Sequence, residues 1–114
     1  YPEEEIRTRV NAAVTALQAK QPNTPILLVE HSGGNENQLL DTARNGGYRF
    51  SSALLNKVYR ELIAKGKKNI HLLTTKEIGF TSESTVDGAH PNDIGMMENA
   101  IAVEKAYRKI FKAK

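Results

Sequence analysis

Thr24-Pro25-Ile26-Leu27-Leu28-Val29-Glu30-His31 is the stretch around which the rest of the chain arranges itself. Four apolar residues in a row, with Pro25 before them and a charge after, predict a short strand buried on both faces. That is the pattern of a parallel sheet covered by helices. A second run of the same kind, Ile70-His71-Leu72-Leu73-Thr74, follows later. Parallel strands need a long crossover, usually a helix. The sequence predicts one from about Ser51 or Ser52 to Lys65, burying Leu54, Leu55, Val58, Leu62 and Ile63. Gly66 fits the position just past its end. Ser51 and Ser52 read as helix-start residues whose hydroxyls cap free amides.

Working outward, Glu3 to Lys20 reads as an amphipathic helix. Ile6, Val10, Ala13, Val14 and Leu17 share one face, and three acids lie in the first turn. Gln21-Pro22-Asn23-Thr24-Pro25 breaks it. The polar segment from Glu30 to Gly47 holds Gly33-Gly34-Asn35 and Asn45-Gly46-Gly47 and lacks periodicity; at eighteen residues it reads either as a functional loop or as a stretch whose assignment as loop is wrong. A loop from Thr75 to His90 leads to a last helix, roughly Asn92 to Lys112, with Ile94, Met97, Ile101 and Ile110 toward the core. Met96-Met97 reads as core packing. The order α-β-α-β-α calls for right-handed crossovers and a parallel sheet covered on both faces. Two strands are too few to bury three helices, and they leave both edges open. The chain is therefore expected to join a larger sheet, either by pairing with another copy or as the C-terminal half of a doubly wound domain.

At 114 residues the chain amounts to one domain at most. Cysteine is absent, which excludes disulfides and thiolate metal sites but leaves the compartment open. No apolar run approaches the roughly 18 residues that span a bilayer. Tyr1-Pro2-Glu3-Glu4-Glu5 is not a signal peptide. The net charge of +3 raises the question of nucleic acid. Yet the basic residues gather at Lys65-Gly66-Lys67-Lys68 and at Lys105, Arg108, Lys109, Lys112 and Lys114. The second group sits where cations complement a helix C-terminus. No aromatic residue alternates with them as a base-stacking platform requires. They read as a solvated surface, and neither nucleic acid nor membrane is expected as a partner.

The chemistry gathers in Thr85-Val86-Asp87-Gly88-Ala89-His90-Pro91-Asn92-Asp93-Ile94-Gly95-Met96. Hydrolases that activate a serine through an Asp-oriented His need those two side chains in hydrogen-bond contact. A turn with Asp87 and His90 three residues apart can supply both. The plainer reading is a turn whose Asp satisfies loop amides beside an incidental surface His.

A serine partner is harder to find. Glu30-His31-Ser32-Gly33-Gly34 looks superficially like a nucleophile elbow, but Gly-x-Ser-x-Gly needs glycine where Glu30 stands. Ser32 does lie past a strand's C-terminal end, where open α/β sheets place ligands. Ser82 and Ser84 read as loop serines. His31 shares the location of Ser32 and reads either as a substrate contact or as a loop His that ties down a turn, whereas His71, inside a strand, reads as structural. Glu30, His31, Asp87 and His90 include metal-ligand types, but no pair has the spacing of a zinc helix such as His-Glu-x-x-His, and no metal is expected. Gly33-Gly34 is neither a Walker loop nor a dinucleotide fingerprint.

Taken together, Thr24 to His31, Lys68-Asn69-Ile70 at the start of a strand, and the Thr85 to Met96 block resemble the SGNH hydrolases. These are also called GDSL-like lipases or acylhydrolases, and the likeness is to their bacterial esterase-like branch. The resemblance implies a flavodoxin-like three-layer α/β/α sandwich, with residues 1–114 as the C-terminal part of that single domain. It implies His90 as general base and Asp87 as the residue that orients it. The family's nucleophile lies in an early Gly-Asp-Ser-type block, and its oxyanion donors are that serine's amide, a glycine and an asparagine. None of those blocks occurs in this sequence. The expectation is thus part of a serine esterase acting on a small ester such as an acetyl group, without a cofactor and inactive by itself. Its partner would be the N-terminal half of the same domain or another chain that completes the sheet. The alternative is a non-catalytic α/β module that associates through its open sheet edge. A phosphate or nucleotide binder of flavodoxin type would need a glycine fingerprint that is missing.

Overall fold

In the computed structural model of the chain, residues 2–33, 42–87 and 89–112 are described. They form α1 (Glu3–Lys20), β1 (Ile26–Val29), α2 (Thr42–Ala64), β2 (Ile70–Leu73), α3 (Thr75–Ile78) and α4 (Asp93–Lys112). β1 and β2 pair in parallel, with Ile26 opposite Ile70 and Val29 opposite Leu73. The ladder runs one bond further at each end, from the Ile26 amide to the Asn69 carbonyl (3.0 Å) and from the Glu30 amide to the Leu73 carbonyl (2.9 Å).

Alternation along the strands sends the apolar runs to both faces. Ile26, Leu28 and Ile70 pack with Val14 of α1 and with Leu54, Val58 and Leu62 of α2. Leu27 and Leu73 turn the other way, toward Ile78, Phe80, Ala102 and Ala106. The result is a mixed α/β arrangement of three layers, helices on both faces of a parallel sheet. Full burial of a side chain such as Leu62 contributes about 2 kcal/mol. Gly66 turns the chain out of α2 with φ +88°.

Four expectations need correction. α2 begins at Thr42, so Asn45-Gly46-Gly47 is helical and Ser51 and Ser52 lie well inside the helix. Two glycines cost about 1 kcal/mol each in a helix. However, the packed turns from Leu54 to Leu62 nucleate it, and each further residue then adds a hydrogen bond. Residues 34–41 of the expected Glu30 to Gly47 loop lie outside the described residues.

The stretch after β2 is not all loop, because α3 occupies Thr75–Ile78. A capping box starts it: Thr74 Oγ1 accepts the Glu77 amide while the Glu77 carboxylate accepts the Thr74 amide. That Thr-x-x-Glu signature is visible in the sequence.

The third correction is the face of α4. Ile94, Met97 and Ile101 are exposed (53%, 62% and 46%), as is Met96, while Gly95 and Ala102 are buried. Small residues let this helix approach closely, and its larger apolar side chains point elsewhere. Fourth, the buried stripes of α1 and α2 are narrower than expected, since Ala13, Leu17 and Ile63 are exposed.

Among the described residues each strand has one edge without a partner, and no helix is long and apolar enough to cross a membrane.

Candidate active site

The loop between α3 and α4 is built to hold one short segment still. The Thr85 and Pro91 backbones form an antiparallel bridge. The Val86 amide donates to the His90 carbonyl and the Asn92 amide to the Ser84 carbonyl, each at 3.0 Å. Asn92 ties the loop to the next helix. Its Oδ1 accepts the Gly95 amide (3.0 Å), capping α4, and its Nδ2 donates to the Glu83 carbonyl (2.6 Å). Beneath, Ser84 is buried; its hydroxyl accepts the Thr81 amide (2.8 Å) and donates to Glu98 Oε1 (2.5 Å). Gly95 makes the approach possible. A Cβ on it would stand 2.1 Å from the Ser84 carbonyl oxygen and 2.9 Å from Pro91 Cβ.

On this base Asp87 does two things at once. Its Oδ1 accepts the amides of Ala89 (2.9 Å) and His90 (2.7 Å), closing the turn. Its Oδ2 lies 2.5 Å from His90 Nδ1. One oxygen thus closes the turn and the other meets the imidazole. The His90 amide, the His90 ring and the Ala89 amide, in that order, hold the Asp87 carboxyl well below the usual carboxylate range. An ionised acceptor against Nδ1 places a ring proton on that nitrogen, so the neutral ring carries its lone pair on Nε2. The His90 side chain is 72% exposed, so this lone pair faces open space. A base of this kind can take a proton from a hydroxyl and return it.

His31 stands past the C-terminal end of β1. Its amide donates to Ser52 Oγ (3.0 Å), and its carbonyl accepts from Thr75 Oγ1 (2.7 Å). Its ring stacks on Tyr48 with centroids 3.9 Å apart and planes 6° from parallel. Burial, and secondarily the charge of His90, push its pKa below the ordinary histidine value. The two imidazoles are therefore close enough to interact. Next to it, the buried Glu30 carboxylate accepts the Thr75 amide (2.9 Å) and the Asn56 side chain (3.1 Å).

Asp87 and His90 are thus joined, with His31 within electrostatic reach. Ser32 makes no hydrogen bond to either His among the described residues. Ser52 is not a helix-start cap; its hydroxyl serves His31 and Thr75. His71 sits opposite Leu27 in the sheet, its Nε2 buried without a hydrogen-bond partner. Among the described residues no group of three or more His, Asp or Glu could hold a metal, and both Glu30 oxygens are already engaged. Two features escaped the sequence reading: the Tyr48 stack and the Glu30–Asn56–Thr75 cluster. The second had a signal, a lone acid directly after an apolar strand.

Residues 1–108 match the model of the GDSL-like lipase/acylhydrolase family. Among solved structures, a Bacteroides ovatus protein assigned as a GDSL-like lipase is 27% identical with a TM-score of 0.80, the match covering 96% of this chain and 33% of that one. The salicylyl-acyltransferase SsfX3 of a tetracycline biosynthetic pathway shares the fold, with a TM-score of 0.71 at 17% identity, covering 95% and 33%. The chain thus spans about a third of the length of these structures. No curated protein matches it.

Proposed function

This chain belongs to the GDSL-like lipase/acylhydrolase family, and from that premise we propose that it is the part of a serine esterase that carries the general base and its orienter. The observation behind this reading is the 2.5 Å contact between Asp87 Oδ2 and His90 Nδ1 on an exposed, tightly braced loop. His90 Nε2 takes the proton of a serine hydroxyl as its oxygen attacks the ester carbonyl. The tetrahedral intermediate collapses, His90 hands the proton to the departing alkoxide, and an alcohol leaves an acyl-serine behind. Water repeats the cycle and releases the carboxylic acid. Asp87 keeps the ring in the reactive tautomer and stabilises the transient imidazolium.

The serine and the oxyanion donors lie outside these 114 residues, in the N-terminal half of the same domain or in another chain that completes the sheet. The substrate is a small ester such as an acetyl ester, His31 contacts it, and the cycle so written needs no cofactor. The 114-residue chain by itself is inactive.

The test is hydrolysis of p-nitrophenyl acetate by the polypeptide that joins this chain to its serine-bearing region. His90→Ala should lower kcat by roughly 10²- to 10⁴-fold. His90-dependent turnover by the 114 residues alone would overturn the assignment of the nucleophile.

A second reading, a non-catalytic module, has one observation in its favour. The outer edge of β1 has no partner among the described residues, and Val29 on it is exposed. Such an edge can take up a strand from another chain. A complete assembly without His90-dependent turnover on any ester would favour this reading.

A further inference from the structure

Backbone geometry fixes the His31 ring before any substrate arrives. Among the described residues, six hydrogen bonds hold residues 30–33. The Glu30 amide is in the ladder to Leu73, and the Glu30 carboxylate spans Asn56 and Thr75. Ser52 and Thr75 grip the two ends of the His31 peptide unit. The sixth sets the ring itself. The Gly33 amide donates to His31 Nδ1 at 2.9 Å. An amide N–H requires a lone pair on its acceptor, so the ring proton of neutral His31 resides on Nε2. Nε2 has no hydrogen-bond partner among the described residues. Tyr48, stacked flat at 3.9 Å, limits the ring's rotation.

We propose that His31 is a specificity-determining donor, its Nε2–H recognising an acceptor oxygen of the ester substrate beside the His90–Asp87 pair. The inference rests on the esterase reading and adds the polarity of the contact. The substrate is an ester that bears an ether, hydroxyl or carbonyl oxygen near the scissile group, not a plain alkyl ester. Two imidazoles in one site then have opposite assignments: His90 offers a lone pair at Nε2 and His31 offers a proton there. Partial burial and the charge of His90 both lower the pKa of His31, which disfavours a second ring proton.

The kinetic test compares isosteric esters that differ by one oxygen. On the acyl side these are p-nitrophenyl methoxyacetate and p-nitrophenyl butyrate; on the alcohol side, 2-methoxyethyl acetate and butyl acetate. The ratio of kcat/KM within each pair is measured for the complete enzyme, for His31→Phe and for His31→Gln. Comparing one pair across enzymes cancels intrinsic reactivity. His31→Phe keeps a ring for Tyr48 but has no donor, and should shift the ratio against the oxygen-bearing ester about tenfold in at least one pair. His31→Gln restores a donor and should recover part of that preference. A ratio unchanged within twofold in both pairs overturns the proposal.

A second measurement stands apart from turnover and so separates this proposal from the esterase reading. Long-range ¹H–¹⁵N NMR of the histidine rings in the joined polypeptide should find His31 protonated at Nε2 only, at neutral pH. An Nδ1-protonated or doubly protonated ring overturns the proposal, whether or not any ester is hydrolysed. Loss of turnover in His90→Ala, with wild-type turnover intact, is the separate check on the underlying reading.

Discussion

Asp87 is the residue on which both the loop and the proposed chemistry depend. Its folded pKa lies below the ordinary value, so its interactions add stability above about pH 3.9, and that stability is lost as pH falls below it toward the folded value. Asp87→Asn removes the ionised partner at every pH. The stability difference between wild type and this variant should therefore be full at pH 6 and shrink steadily from about pH 4 downward. Denaturant titrations across that range check it, and a gap that widens on acidification would contradict the sign. In the complete enzyme the same substitution should lower kcat on the order of 10³- to 10⁴-fold, because an amide at Oδ2 can present a donor to Nδ1 and select the wrong tautomer. These two readouts separate the structural duty of Oδ1 from the proposed catalytic duty of Oδ2.

At the scale of elements, α4 positions the loop through its smallest residue. Gly95→Ala gains about 1 kcal/mol of helix propensity. It also drives a methyl group into the Ser84 carbonyl and Pro91, the two ends of the Asp87–His90 turn. Overpacking against backbone costs about 1–3 kcal/mol. A 2.1 Å approach to a backbone oxygen places the cost at the upper end, so the net expectation is destabilisation by about 2 kcal/mol in chemical denaturation; a stabilised variant would mean that the loop is not braced there. Asn92→Ala, which removes the cap of α4, should cost about 1 kcal/mol by the same measurement.

These elements also show what the sequence could and could not reveal. The strands, the parallel order and the Asp87–His90 contact were legible because each depends on near neighbours: four apolar residues in a row, or two side chains within one turn. The face of α4 was not, because it depends on which residues fit against a loop carbonyl. Counting apolar residues selects Ile94, Met97 and Ile101, whereas the packing selects Gly95 and Ala102. Tyr48 was hidden for a related reason. Its place beside His31 follows only once α2 is extended through Gly46 and Gly47, against their local preference.

For the molecule as a whole, apolar surface is left in the open. Val29 on the sheet edge, and Ile94, Met97, Ile101, Val103 and Tyr107 along α4, are all exposed. Monomeric proteins seldom expose contiguous apolar patches of large size. The proposed completion of the sheet gives the β1 edge a partner, and it predicts a difference in backbone protection. In the joined polypeptide the outward-facing amides of β1 should exchange with deuterium more slowly than in the 114-residue chain, while those paired with β2 change less. Equal exchange in both would remove the sheet-completion argument.

The central claim is that His90 and Asp87 serve a serine that lies outside residues 1–114. It is tested most directly by treating the joined polypeptide with a fluorophosphonate, which reacts covalently with an activated serine, and mapping the adduct by peptide mass. The account predicts one labelled serine outside these residues, with labelling abolished in His90→Ala. An adduct on Ser32, or on an outside serine that labels equally well without His90, would contradict it.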